Sequence, residues 1–260
     1  MKQIFVFLLF FIGIAFSIFS QDIDYVISDP NKEKKEFNKP SNSDSTIVSN
    51  PDYVSYILTS TAYTLEKKKI RLSGTDVIFI KGSYGITDNT MFSINISAFG
   101  TFTASLKQQI DLSDYLKLGL SASGGRLLFF NFDTTAYFGG GQAMITLGDR
   151  QDNITAGSGF YLIKSSYDLF GNGKDQFVLH NVYVGFQKQL GEKIYIIAEG
   201  IYFINYKVFT GSAGVKLIMG ERMALNFGLM PFGFNDPSSN NSDIPVAIPL
   251  ISFRVLLGRN

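Results

Sequence analysis

Residues 90–98 read Thr-Met-Phe-Ser-Ile-Asn-Ile-Ser-Ala. Successive side chains of a strand point to opposite faces. Phe92, Ile94 and Ile96 therefore share one face, and Ser93, Asn95 and Ser97 share the other. The same two-faced pattern returns along the chain. In 115–123, Leu116, Leu118 and Leu120 oppose Lys117, Gly119 and Ser121. In 223–230, Leu225, Phe227 and Leu229 oppose Asn226 and Gly228. In 249–258, Ile251, Phe253, Val255 and Leu257 oppose Ser252 and Arg254.

Alternation alone fits a soluble barrel with its apolar face inward or a membrane barrel with that face outward. Three features select the second. The polar face is rich in Gly, Ser, Thr and Asn with few charges, whereas a solvated exterior carries more Lys and Glu. The alternating stretches are long enough to cross a bilayer when tilted. The chain also opens with an export signal: basic Lys2, an apolar run from Ile4 to Phe16, and small residues at Ala15, Ser17 and Ser20.

Composition agrees. Phe (25), Tyr (13) and Gly (25) are abundant and Pro is scarce (7), as pleated, half-buried surfaces favour. Mean hydropathy is +0.13 although 17% of residues are charged. Past the N-terminus the apolar residues are dispersed rather than gathered into the runs of about 20 that helical spans need. There is no Cys, which excludes disulfides, thiol catalysis, Cys-ligated metals and a lipidated cysteine anchor. With no Trp, an aromatic girdle has to be built from Tyr and Phe. A net charge of +1 offers no electrostatic basis for nucleic acid as a partner.

The expected organisation is a signal peptide over 1–20, a disordered polar linker over 21–50 and a barrel over 51–260. The linker stretch DPNKEKKEFNKPSNSDS (29–45) lacks the apolar content that would offset ordering entropy. Within the barrel one kind of short charged turn recurs, at 87–89, 112–114, 148–153, 191–193 and 220–222. Short turns of membrane barrels lie on the periplasmic side, so each interval encloses a hairpin. Reversals are expected near Gly100, at 131–134, at 166–176, near Tyr206 and at 235–245. Ahead of Thr87 the expected pair is Tyr53–Thr64 and Ile70–Tyr84, joined by the Glu66-Lys67-Lys68-Lys69 run. The fold class is thus all-β: a transmembrane antiparallel up-and-down barrel of about 12 strands, or about 10 without the first strand once closure is repaired.

Several segments together resemble uncharacterised outer-membrane β-barrel proteins of the Bacteroidota type. They are the signal ending before Gln21, the stretch TSTAYTLEKKKIRL (59–72), and the turn Tyr84 to Asn89. The strand KIYIIAEG (193–200) after a Leu-Gly-Glu turn and the final amphipathic strand complete the set. The resemblance spans roughly Ser60 to Asn260 and implies a porin-like place in the bacterial outer membrane. It implies outer-membrane lipid and the barrel-assembly machinery as partners, and nothing about activity.

Catalytic chemistry has little to stand on. Barrel hydrolases pair a His with a nearby Ser, but the single His180 is followed by Asn181 and Val182 and shares the apolar face of Val182, Val184 and Phe186. It is read as a residue near the outer rim. Asp149 and Asp152 are explained by a charged turn, and Gly139-Gly140-Gly141 leads into no phosphate loop. No enzyme activity, cofactor or metal is expected. The informative charges are Lys117, Glu199, Lys216 and Arg254, which fall on the polar face. They are expected in the lumen, as interior ion pairs or as pore charges, because a charge facing lipid is costly. The expected function is a narrow passive channel for small polar solutes. The alternative is a structural or surface-interaction barrel with a closed lumen, which large side chains at Tyr161, Tyr183 and Tyr195 would favour.

Overall fold

In a computed structural model, twelve antiparallel strands close into one barrel, each paired with its sequence neighbours and the first with the last. The described residues are 50, 52–76, 79–97, 100–128, 135–165, 176–220, 222–232 and 246–257. The expected signal peptide and all but the last residue of the expected linker lie outside them. The strands are β1 (Ile70–Thr75), β2 (Phe79–Thr87), β3 (Thr90–Ser97), β4 (Phe102–Asp111), β5 (Leu116–Leu128) and β6 (Thr135–Gly148). They continue as β7 (Asn153–Ser165), β8 (Gln176–Gly191), β9 (Ile194–Phe203), β10 (Val208–Ile218), β11 (Met223–Phe232) and β12 (Val246–Leu257). All five short turns fall where their charged residues place them. They share one end of the barrel with the start of β1 and the end of β12, which pair as Ile70↔Leu257. We call this the short-turn end and the opposite one the loop end.

The alternation has the sidedness the sequence implies. Phe92, Ile94, Ile96, Leu120, Phe227, Leu229, Ile251, Phe253 and Leu257 project outward and are exposed. Ser93, Asn95, Asn226, Ser252 and Arg254 project inward and are buried. An apolar belt around a polar interior is the arrangement of a barrel that spans a membrane. Tyr and Phe build the girdle. Phe102, Tyr137, Phe160, Tyr202 and Phe209 lie outward near the loop end, and Tyr84 and Tyr115 near the other. Arg126 stacks over Tyr137 in the same zone, its guanidinium carbon 6.0 Å from the ring centre.

Ile94→Arg or Phe227→Arg is therefore expected to cost about 2–4 kcal/mol of folding free energy in lipid vesicles. Urea titration of vesicle-inserted protein measures this. Both a lower cost and the absence of lipid quenching from a fluorophore at these positions would contradict the outward assignment. Asn226 is not the permissive lumenal site its pattern suggests. It lies against Ser252 Oγ (3.0 Å), and with its amide oxygen toward the guanidinium it accepts from Arg254 Nη2 at 2.6 Å.

The count of twelve holds, but through a different first hairpin. Tyr53–Thr64 is not a wall strand, and the chain from Ile70 to Tyr84 is two strands, not one. The first ends at Thr75 and the second begins at Phe79, so the chain reverses after the Ser-Gly-Thr of the Ser-Gly-Thr-Asp stretch (73–76). Asp76 adopts a positive φ of 51°, and its Oδ1 accepts from Ile251 N at 2.7 Å, pinning the turn to β12. Asp tolerates that conformation because its side chain bonds locally. Residues 52–64 have hydroxyls or charges on both faces, so as a wall strand they would put polar groups into lipid. They run inside the barrel instead.

Candidate functional site

The lumen is occupied by residues 50 and 52–65. The segment enters at the short-turn end, climbs to mid-height and turns back. Tyr56 N donates to Thr59 O (2.9 Å) and Thr61 N to Val54 O (3.0 Å), making a small hairpin with a Ser55–Ser60 bridge. Each end is tied to the same turn. Asn50 Nδ2 donates to Arg150 O at 2.8 Å, and Arg150 Nη1 lies 3.0 Å from Glu66 Oε1. Arg150 also stacks over Tyr53, its guanidinium carbon 4.2 Å from the ring centre.

Three of the four charges singled out by the sequence converge on this segment. Asp52 is fully buried, with Lys216 Nζ 2.7 Å from its Oδ2 and Arg254 Nη1 on the same oxygen. Lys216 further donates to Asp52 O and to Gln187 Oε1, both at 2.5 Å. Arg254 Nη2 donates to Tyr56 O at 2.7 Å. Glu199 holds the tip. Its carboxylate accepts from Leu58 N and Thr59 N (both 2.7 Å), from Thr59 Oγ1 (2.8 Å) and from Ser212 Oγ (2.5 Å). A carboxylate that accepts several donors tolerates burial that would otherwise be costly. Lys117 does not join them. It sits at the short-turn rim, 3.0 Å from Asp111, beside a cleft of about 430 Å³ lined by Tyr63, Thr64, Glu66 and Asp88 among others.

Neutral contacts complete the seat. Tyr56 OH donates to Asn153 Oδ1 (2.7 Å) and lies 2.9 Å from Thr155 Oγ1, Ala62 N donates to Thr146 Oγ1 (2.7 Å), and Thr64 N donates to Gln109 Oε1 (2.9 Å). Lys107 Nζ donates to Ser60 Oγ at 2.6 Å. Glycines hollow the wall where the segment presses on it. A Cβ on Gly185 would lie 2.2 Å from the Tyr56 ring, one on Gly228 would lie 2.5 Å from Ile57, and one on Gly119 would lie 2.9 Å from Ala62 Cα. Above the tip an apolar cluster takes up part of the loop half of the lumen. Phe79, Phe138, Tyr161, Ile163, Leu179 and Phe203 pack there in one cluster with Ile57 and Leu58. Tyr161, Tyr183 and Tyr195 are all buried inside, as their strand positions require.

Sequence reasoning missed Asp52, Arg71, Lys81 and Lys107, all buried in the lumen. Arg71 and Lys81 share the parity of Ser73 and Ser83, so alternation would have disclosed them. The alternation Ser105, Lys107, Gln109 against Leu106, Ile110 would have disclosed Lys107. Asp52 carried no signal, since a buried ion partner in a non-strand segment has no periodicity.

His180 does face outward near the loop end, and the fold brings it a serine that sequence spacing could not. Ser158 Oγ, on the neighbouring β7, lies 3.2 Å from His180 Nε2. The hydroxyl proton goes to Asn181 O at 3.0 Å, and no described residue orients the second ring nitrogen.

No family model and no curated protein sequence matches the chain. Among solved structures it is similar to several outer-membrane barrels. One is the NanC porin, with a TM-score of 0.45 and 9% identity over 74% of this chain and 99% of that one. Another is the KdgM porin solved with disordered oligogalacturonate, at 0.39 and 7% over 72% and 95%. A third is Omp33 of Acinetobacter baumannii, at 0.36 and 10% over 74% and 96%.

Proposed function

We propose that the protein is a bacterial outer-membrane channel for small polar solutes, held shut by residues 50–65. The short-turn end faces the periplasm, and membrane lipid and the barrel-assembly machinery are its partners. Glu199, Lys216 and Arg254 are the latch of the closing segment, and Lys117 is a charge of the periplasmic mouth. We also place the chain with the uncharacterised Bacteroidota-type barrels that residues 59–72 and 193–200 resemble. One observation carries the channel reading: the element that closes the periplasmic half is a tethered hairpin on polar anchors, not the wall itself. Polar contacts can be exchanged for water at modest net cost, and the tip withdrawn this way takes Ile57 and Leu58 out of the apolar cluster above it.

The second reading, a barrel that stays closed, is favoured by the apolar cluster packed above the tip. Deletion of residues 52–64 separates the two. The deletion is sterically simple because Asn50 and Glu66 both bind Arg150. In planar bilayers the deleted protein is expected to show discrete conductance steps that the full chain shows only rarely. Heat-modifiable gel mobility verifies that both are folded. A folded but silent deletion variant would establish the closed barrel.

A further inference from the structure

Seven charged side chains are buried among the described residues, and the set is lopsided. Five are cations, Arg71, Lys81, Lys107, Lys216 and Arg254, against the carboxylates of Asp52 and Glu199. The cations occupy one arc of wall, on β10, β12, β1, β2 and β4. Lys81 pairs with Ser73 and Ser73 with Arg254, so these sit in one row across β2, β1 and β12. At about 4.8 Å between strands, the Lys81 and Arg254 backbones lie roughly 10 Å apart.

Glu199 stands on β9, the strand next to the β10 that carries Lys216, and its oxygens are occupied by four donors from the tip and Ser212. The carboxylate that Lys216 and Arg254 share is that of Asp52, which belongs to the movable segment. When the segment leaves, Lys216 and Arg254 lose it together. Burying them unpaired is costly, whereas an ammonium and a planar guanidinium converging on one oxygen suit any carboxylate.

We infer that the solute this lumen accepts is a small anion bearing a carboxylate, and that Asp52 is its tethered competitor. The inference rests on the channel reading given above. Two cations left together at one point of the lumen concentrate the opposite ion there.

The test uses the deletion of residues 52–64 in planar bilayers under a potassium chloride gradient, then with potassium succinate. The expected reversal potential has the sign of the anion, with a preference of about tenfold over potassium. Adding Lys216→Gln and Arg254→Gln should remove most of it. A conducting but unselective or cation-selective barrel overturns the anion inference and leaves the channel standing. A folded barrel that never conducts overturns both. A second readout needs no deletion. In the full chain carrying Val54→Cys, succinate should speed thiol labelling by competing with Asp52, and spermidine should not. Labelling indifferent to succinate overturns the inference even where the deletion variant fails to fold.

Discussion

Asp52→Asn should raise the labelling rate of a single cysteine at Val54 by roughly 150- to 4,000-fold. The asparagine keeps the shape and loses the charge, leaving Lys216 and Arg254 buried around a neutral amide. Removing one partner of a buried ion cluster costs about 3–5 kcal/mol. Here the barrel has an alternative to bearing that cost, because the segment can leave and water can enter. The loss therefore appears as undocking rather than unfolding. The chain has no cysteine of its own, so the label reports one site. Val54 is fully buried in the docked state. Where opening is fast relative to labelling, the rate follows the open population. A double variant, Asp52→Asn with Arg254→Gln, should cost less than the sum of its parts, because the second change removes a charge that the first left unpaired. An unchanged rate with Asp52→Asn would show that the ion cluster does not hold the segment.

Gly185→Leu should open the lumen to protease from the short-turn end. A side chain at this position needs the space of the Tyr56 ring, since even its Cβ would stand 2.2 Å from Cε2 and 2.3 Å from Cδ2. The wall cannot yield, because β8 is bonded along its length to β7 and β9. Tyr56 must leave, and its hydrogen bonds to Asn153 and Thr155 go with it. Losing a buried aromatic contact costs about 3–5 kcal/mol, with about 1 kcal/mol for each hydrogen bond. Chymotrypsin should then cut between residues 53 and 65 in a protein whose barrel keeps its heat-modifiable mobility. Gly191→Ala is the control, because nothing lies within 4 Å of its Cβ position. Resistance of the Gly185→Leu protein equal to that of the control would mean that Tyr56 does not anchor the segment.

The sequence pattern carried most of the wall. A strand that faces lipid on one side and a polar lumen on the other must alternate, so Phe92 to Ser97 and Ile251 to Leu257 disclose both their extended conformation and their sidedness. Charged short turns punctuate them because tight reversals at a membrane surface favour Gly, Asp and Asn. The positions of Glu199, Lys216 and Arg254 followed from the same parity. The first hairpin did not. There, alternation across Ile70 to Tyr84 outweighed the turn chemistry of Ser73 to Asp76, and the apolar residues among 53–64 passed for a strand.

What the sequence by itself determined about this protein is therefore local and periodic: which residues are strands, which way each side chain points, and where the chain turns. What only the tertiary structure decided is which buried groups meet. Asp52 lies 164 residues from Lys216 and 202 from Arg254, and Tyr56 lies 97 from Asn153. Parity assigns each to the lumen or leaves it unassigned, but it says nothing of what stands opposite across the barrel. Closure of the sheet brings β8 to β12 around the segment that precedes β1. The filling of the lumen is a property of that closure, because the cost of leaving buried charges unpaired is settled only once the walls face one another.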